Sequence, residues 1–310
     1  MSDDDAGDAP AGLGDDEPIR LLTGGRPEFA GAPLDDDALW RLYTDSDRAT
    51  PVLRVNFVQS LDGSATVDGL SGGLGGPADK RVFDTLRSLA DVVLVGAGTA
   101  RDEGYGALRL DAGRSARRVA AGLPEQPAMA LVSGRLGLDP GSDLFALAPR
   151  RPLVCCVAPA AADARAELSK AAAVVDVGAD RVDPTRIVAE LTARGLTQVL
   201  CEGGPSLFGD LVAADLVDEF CLTLSPLLEG GHGPRVITAP SQPAAPPRGL
   251  ELGHVLRSGS VLLTRWARAA REGRGSGGAG GSGTADGSGA AGVRGEAGVS
   301  GAAGGERQGG

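Results

Sequence analysis

The run Val92-Val93-Leu94-Val95 passes directly into Gly96-Ala97-Gly98-Thr99, and an apolar stripe at helical spacing (Val82, Phe83, Leu86, Leu89 and Ala90) precedes it. Four β-branched or leucine residues with no polar alternation predict a strand buried on both faces, which requires a parallel sheet covered by helices. The same alternation recurs along the chain. Strands are expected at residues 52–58, 129–132, 153–157, 173–177 and 197–201, with helices at 161–172 and 184–193, the latter ending before Gly195 as a C-cap. A second strand-to-glycine-to-helix step is Cys201-Glu202-Gly203-Gly204-Pro205, followed by Leu207, Phe208, Leu211 and Val212. Pro77 fits the first turn of the helix carrying the Val82 stripe, just after the glycine-rich stretch Ser71 to Gly76. Residues 35–43 form a short helix packing Leu39, Trp40 and Leu42.

The last third changes character. Residues 219–224, 235–238, 252–256 and 260–264 read as strands without long helices between them, so the late strands pair antiparallel. The expected fold is therefore α/β, with a mixed, mostly parallel central sheet flanked by helices and antiparallel C-terminal strands.

The ends do not share this pattern. Residues 1 to 50 carry thirteen Asp or Glu against four Arg, and residues 1–30 are expected to be a flexible acidic arm. After about Arg268 the sequence is Gly, Ala and Ser with single charges. Residues 269–310 thus have almost nothing to bury and are expected to be a disordered tail, leaving 31–268 as one domain. The glycines of the tail hold no period of three, which excludes collagen. No lysine- or arginine-rich block points to nucleic acid, and no apolar stretch of eighteen residues points to a membrane span. Cys155, Cys156, Cys201 and Cys221 form no Cys-x-x-Cys or Cys/His cluster; they read as buried thiols in a reducing, cytoplasmic compartment, and no metal is expected. His232 and His254 are isolated and are expected in loops or at strand ends.

Two glycine turns at the ends of buried strands can bring backbone N–H groups and helix N-termini to an anion without a side chain in the way. Gly96, Gly98 and Thr99 on one turn and Gly203, Gly204, Ser206 and Leu207 on the other are thus candidates to clamp a dinucleotide. The first turn is not the Rossmann fingerprint, because Arg101 stands where a third Gly or Ala is needed. Ser133 and Arg135, after the strand at 129–132, suit the 2′-phosphate that separates NADPH from NADH. Asp62, beside Gly63 at the end of a strand, is the candidate proton donor. Asn56, Ser60, Arg101, Tyr105 and Glu202 are the candidate substrate contacts, with Arg101, Asp102 and Glu103 expected in a loop after the first glycine turn.

These residues together resemble the pyrimidine reductase family of riboflavin biosynthesis, a branch of the dihydrofolate-reductase-like fold. The resemblance is carried by Asn56 to Gly63, by Leu86-Arg87 with Asp91 to Thr99, by Glu202-Gly203-Gly204-Pro205 with Leu216 to Glu219, and by Ser225 to Leu228 before Gly230-Gly231. It implies NADPH as cofactor, held by the two glycine turns with Glu202 beside its nicotinamide and ribose. It also implies reduction of the ribosyl group of a 5-amino-6-ribosylaminopyrimidinone 5′-phosphate to the ribityl product, Asp62 at the reacting carbon, and a homodimer. The first 50 residues lack the His-x-Glu and Pro-Cys-x-x-Cys pattern of the zinc deaminase that precedes this domain in bifunctional relatives, so a stand-alone reductase similar to actinobacterial members is expected. Glu103-Gly104-Tyr105-Gly106 replaces the family's Asp-Pro-x-Leu-Thr-like segment. A pterin such as dihydrofolate is the alternative substrate, and a non-catalytic nucleotide- or flavin-binding protein the alternative class.

Overall fold

The computed structural model describes residues 17–44, 47–158, 161–238 and 246–269, all within one compact unit spanning Met1–Ala270. Residues 270–310 of the proposed tail (269–310) and residues 1–16 of the proposed arm lie outside the described residues. In chain order the elements are β1 (Arg20–Gly24), α1 (Asp36–Tyr43), β2 (Val52–Gln59), α2 (Pro77–Leu89), β3 (Val92–Gly96), α3 (Ala97–Asp102) and α4 (Ala112–Ala120). They continue as β4 (Ala128–Val132), α5 (Asp143–Ala146), β5 (Leu153–Cys156), α6 (Ala162–Ala171), β6 (Ala173–Asp176), α7 (Pro184–Ala193), β7 (Gln198–Cys201) and α8 (Pro205–Ala213). Three strands end the series: β8 (Glu219–Leu224), β9 (Glu251–Ser258) and β10 (Val261–Ala267).

All ten strands form one sheet in the order β1-β9-β10-β8-β2-β7-β3-β4-β5-β6. From β8 to β6 every neighbour is parallel, whereas β8-β10, β10-β9 and β9-β1 are antiparallel. This is the expected mixed sheet. Its buried parallel half reads as uninterrupted apolar runs because both faces are covered. One core includes Val82, Leu86, Leu89, Val93, Val95, Leu131 and Cys156. The other, across the sheet, includes Leu53, Val55, Val92, Leu94, Cys155, Ile187 and Leu211. Cys155 and Cys156 therefore face opposite sides, as strand alternation requires. All four cysteines are buried free thiols, and burial pushes Cys155 and Cys201 up to about 12, so neither is a ready nucleophile.

Local signals explain the helix that bears most on function. Helix α2 has Pro77 in its first turn, Asp79 near its positive end and Arg87 near its negative end. Its buried side presents Val82, Leu86 and Leu89 to the sheet, while Phe83 is left half-buried.

Four expectations are corrected. Residues 20–24, placed in the arm, form the edge strand β1 on β9, with Ile19 fully buried beside it; a five-residue strand ending in Gly24-Gly25 is set by its partner, not by its own period. Arg101 and Asp102 lie on helix α3, not in a loop. Residues 235–238 form no strand. His254 sits inside β9 and is 1 % exposed.

Candidate active site

The two glycine turns meet. Strand β3 delivers Gly96 and strand β7, its parallel neighbour, delivers Glu202-Gly203-Gly204, so both turns emerge at the carboxyl ends of adjacent strands. The Gly96 N–H donates to the Gly203 carbonyl at 2.8 Å, and the Glu202 N–H donates to the Leu94 carbonyl at 3.0 Å. Gly203 has φ +109°, a conformation that side chains rarely adopt. A Cβ on Gly204 would stand 2.2 Å from Thr99 Oγ1. These glycines are required by close approach of the two turns and not merely by a bend.

Two adjoining cavities open around this junction and share Thr99, Asp102, Gly204 and Pro205. The smaller, about 380 Å³, lies over the turns and is lined by Gly96, Gly98, Thr99, Ser206 and Leu207, with Val132, Val182 and Pro184 as apolar walls. Helix α8 begins here with its first N–H groups free of intrahelical partners. Glycine backbone, a helix N-terminus and flat apolar walls fit the phosphates and rings of a dinucleotide.

The larger cavity, about 570 Å³, is lined by Asn56, Asp79, Lys80, Phe83, Glu103, Tyr105 and Glu202 among others. Glu202, whose side chain is 1 % exposed, is gripped by three donors: Arg87 Nε at 2.6 Å, Arg87 Nη2 at 2.7 Å and the Tyr105 hydroxyl at 2.9 Å. Arg87 also lies 4.1 Å over the Phe83 ring. Burial alone would lower the Arg87 pKa, but the Glu202 carboxylate outweighs it and the net shift is upward. Burial and Glu202 both raise the Tyr105 hydroxyl, so it stays protonated as a donor. Glu103 accepts the Ser71 N–H at 3.0 Å and ties the glycine-rich stretch to the end of α3.

Asp79 is the unanticipated group. It projects from the first turn of α2 into the larger cavity, where burial raises its pKa, and a hydrogen bond from Thr223 and the charge of Lys80 only partly counter this. Thr223 is itself buried on β8, opposite Val58 of β2. The sequence did carry a trace of this: an acid two residues after the helix-starting Pro77, following a glycine loop.

Most of the expected residues come together here. Asn56, Tyr105 and Glu202 line the larger cavity, and Gly96, Gly98, Thr99, Gly204, Ser206 and Leu207 the smaller, with Gly203 locked beneath them. Ser133, which is buried, and the exposed Arg135 line neither cavity; they follow Val132, which lines the smaller one.

Three more lie apart. Asp62 lines neither cavity. It accepts the backbone N–H of Glu229 at 3.1 Å and of Gly230 at 2.8 Å, together with the Ser60 hydroxyl. Those bonds, the Ser60 one foremost, lower its pKa to about 2; an acid so strong holds no proton to give near neutrality. Its Asp-Gly turn pins the segment after Pro226. Ser60 is fully buried and completes that turn, accepting the Ser64 N–H, and it lines neither cavity. Arg101 reaches the Gly137 carbonyl at 3.4 Å and lines neither cavity; its neighbour Asp102 lines both.

Residues 51–264 match the RibD C-terminal domain family. The chain is 29 % identical over 188 residues to the 2,5-diamino-6-ribosylamino-4(3H)-pyrimidinone 5′-phosphate reductase of Methanothermobacter thermautotrophicus, covering 60 % of this chain and 83 % of that protein. It is 27 % identical over 183 residues to the Archaeoglobus fulgidus protein of the same name, covering 59 % and 83 %. Among solved structures, a pyrimidine reductase-like protein from Corynebacterium diphtheriae superposes with a TM-score of 0.67 at 24 % identity, over 76 % of this chain and 98 % of that one, a likeness of fold.

Proposed function

Because the chain belongs to the RibD C-terminal domain family, we propose that it is a pyrimidine reductase: it reduces the ribosyl group of a 5-amino-6-ribosylaminopyrimidinone 5′-phosphate to the ribityl product, with NADPH as reductant. The observation that carries the reading is Asp79, a half-buried carboxyl on the wall of the larger cavity. A carboxylate taken from water needs donors in compensation. The N3–H and 2-amino group of a 2-amino-4-oxopyrimidine supply two in parallel, the geometry a carboxylate accepts best. The curated relatives are named for such a 2-amino substrate.

NADPH, when bound, supplies the hydride. The chain's own residues bind and orient. The two glycine turns and the start of α8 receive the pyrophosphate, and Ser133 with Arg135 recognises the 2′-phosphate. Glu202, buried beneath the wall of the larger cavity, fixes Arg87 and Tyr105 there, and Tyr105 lines the cavity where the sugar would lie. Asn56 and Asp79 align the ring on the β2 side. We read the molecule as a dihydrofolate-reductase-like enzyme acting in the cytoplasm as a homodimer; a monomeric mass in sedimentation removes the dimer. No helix among the described residues is long and apolar enough to cross a membrane.

The test is Asp79→Asn, assayed with the 2-amino substrate and its 2-oxo counterpart. Asn replaces one acceptor by a donor, so turnover of the 2-amino compound should fall at least ~10²-fold while the 2-oxo compound falls less. The raised pKa adds a pH signature. As pH falls through it, Asp79 takes up a proton and loses an acceptor, so KM for the 2-amino substrate should rise toward acid in the parent and stay flat in Asp79→Asn. Equal losses on both substrates would contradict the role.

A further inference from the structure

Phe83 sits one turn beyond Asp79 on α2 and lines the same cavity. Side chains four apart on a helix share a face, with Cβ atoms about 5–6 Å from one another. Phe83 is half-buried, yet among the described residues it belongs to neither apolar core, although its helix neighbours Val82 and Leu86 do. Its partner is instead a charge. The Arg87 guanidinium lies 4.1 Å over the ring and is itself held by Glu202 through two hydrogen bonds. Arg87 lines neither cavity, so the ring face it covers is closed, and the part of Phe83 that meets the cavity lies away from that contact.

The surrounding wall leaves room for a flat group. Gly72, Gly75 and Gly76, in the stretch before α2, line the cavity without side chains. A Cβ on Gly75 would stand 2.9 Å from Asp79 Oδ2, so a side chain there would crowd the carboxylate. The wall therefore offers two things one helical turn apart: an acceptor for the edge of a ring and an aromatic surface for its face. A surface fixed before binding loses little freedom when a ligand lands on it. Aromatic pairs favour offset stacking. A cation over one face draws the electron density of Phe83 toward itself, which favours an electron-rich partner, such as an amino-substituted pyrimidinone, on the side away from it.

We propose that Phe83 is a specificity-determining residue: the substrate's pyrimidine stacks on it while Asp79 takes the ring edge, so the cleft selects a planar aromatic ring over a puckered one that bears the same donors. The inference rests on the pyrimidine-reductase reading and adds the planarity of the ring to the donor pattern that Asp79 reads.

A pair of small probes separates face from edge. 2-Aminopyrimidin-4-one and its 5,6-dihydro counterpart both carry the 2-amino group and a neighbouring ring N–H, but only the first is planar and aromatic. Their dissociation constants are measured by ligand-observed NMR on the full-length protein and on Phe83→Leu, Phe83→Tyr and Gly75→Ala. The parent should bind the planar compound at least about fivefold more tightly than the dihydro one, the range of a single aromatic contact. Phe83→Tyr should keep that preference. Phe83→Leu should reduce it to within about twofold while binding the dihydro compound much as the parent does. Gly75→Ala, which crowds the carboxylate and not the ring, should weaken both alike. An unchanged preference in Phe83→Leu, or an equal loss on both probes, would make Phe83 a structural part of the wall and overturn the assignment while leaving the reductase reading intact. A parent that binds neither probe would overturn the pyrimidine reading and this inference together.

Discussion

Replacing Arg87 by Met isolates the electrostatic part of the active-site wall, because Met keeps much of the stem that packs near Phe83 while removing both donors to Glu202. The Glu202 side chain is 1 % exposed and that of Arg87 21 %, so the pair is largely desolvated. Breaking a buried pair from one side typically costs 3–5 kcal/mol, since the remaining charge stays buried with too few donors. Here Tyr105 still donates one hydrogen bond and Arg87 is partly wet, which places the loss at the lower end, about 3 kcal/mol. For a domain of this size that corresponds to a fall in Tm of roughly 6–12 °C. Urea denaturation of the parent, Arg87→Met, Glu202→Gln and the double variant forms the cycle. The double variant should be more stable than Arg87→Met, with a coupling of about 2 kcal/mol or more. If Arg87→Met unfolds within ~0.5 kcal/mol of the parent, or the two changes simply add, Glu202 is not held by Arg87 and the proposed ordering of this cavity wall fails.

Two further outcomes follow from the site. Asp62→Asn should keep kcat and its pH profile within about threefold of the parent, because the residue anchors a turn outside both cavities and is already ionised; a loss of a hundredfold or more in steady-state kinetics would restore it as the proton donor. A Ser133→Ala/Arg135→Ala variant should raise KM for NADPH about tenfold or more and leave KM for NADH nearly unchanged, measured side by side; equal changes for both cofactors would mean that this turn does not read the 2′-phosphate.

The sequence was most legible where a local rule and the tertiary environment agree. The run Val92 to Val95 is a strand buried on both faces, and the helix from Pro77 has its cap signal, stripe and terminal charges in accord, so both are where they were expected. Residues 20–24 were missed because their pairing is with β9, more than two hundred residues away, and five residues carry too little period to show it. His254 was misjudged because nearby glycines suggested a loop, whereas Gly253 and Gly24 are places where backbones of paired strands come close. The meeting of the two glycine turns was legible in part, since Gly203 needs its positive φ and Gly204 its close approach to Thr99. Asp62 lies outside both cavities: a carboxylate after a strand looks the same in sequence whether it faces a cleft or binds the backbone N–H groups of Glu229 and Gly230. Asp79 went unseen because its environment is made by Thr223 on a distant strand and by burial, neither of which has a local signature.

The most direct test of the central claim is NADPH consumption by the purified protein, offered 2,5-diamino-6-ribosylamino-4(3H)-pyrimidinone 5′-phosphate and dihydrofolate separately, with the pyrimidine product identified by mass. The account expects oxidation of NADPH with the ribosylaminopyrimidine, a product heavier by two hydrogens, and a markedly lower kcat/KM on dihydrofolate. Turnover of dihydrofolate alone, or no oxidation with either compound, would contradict it.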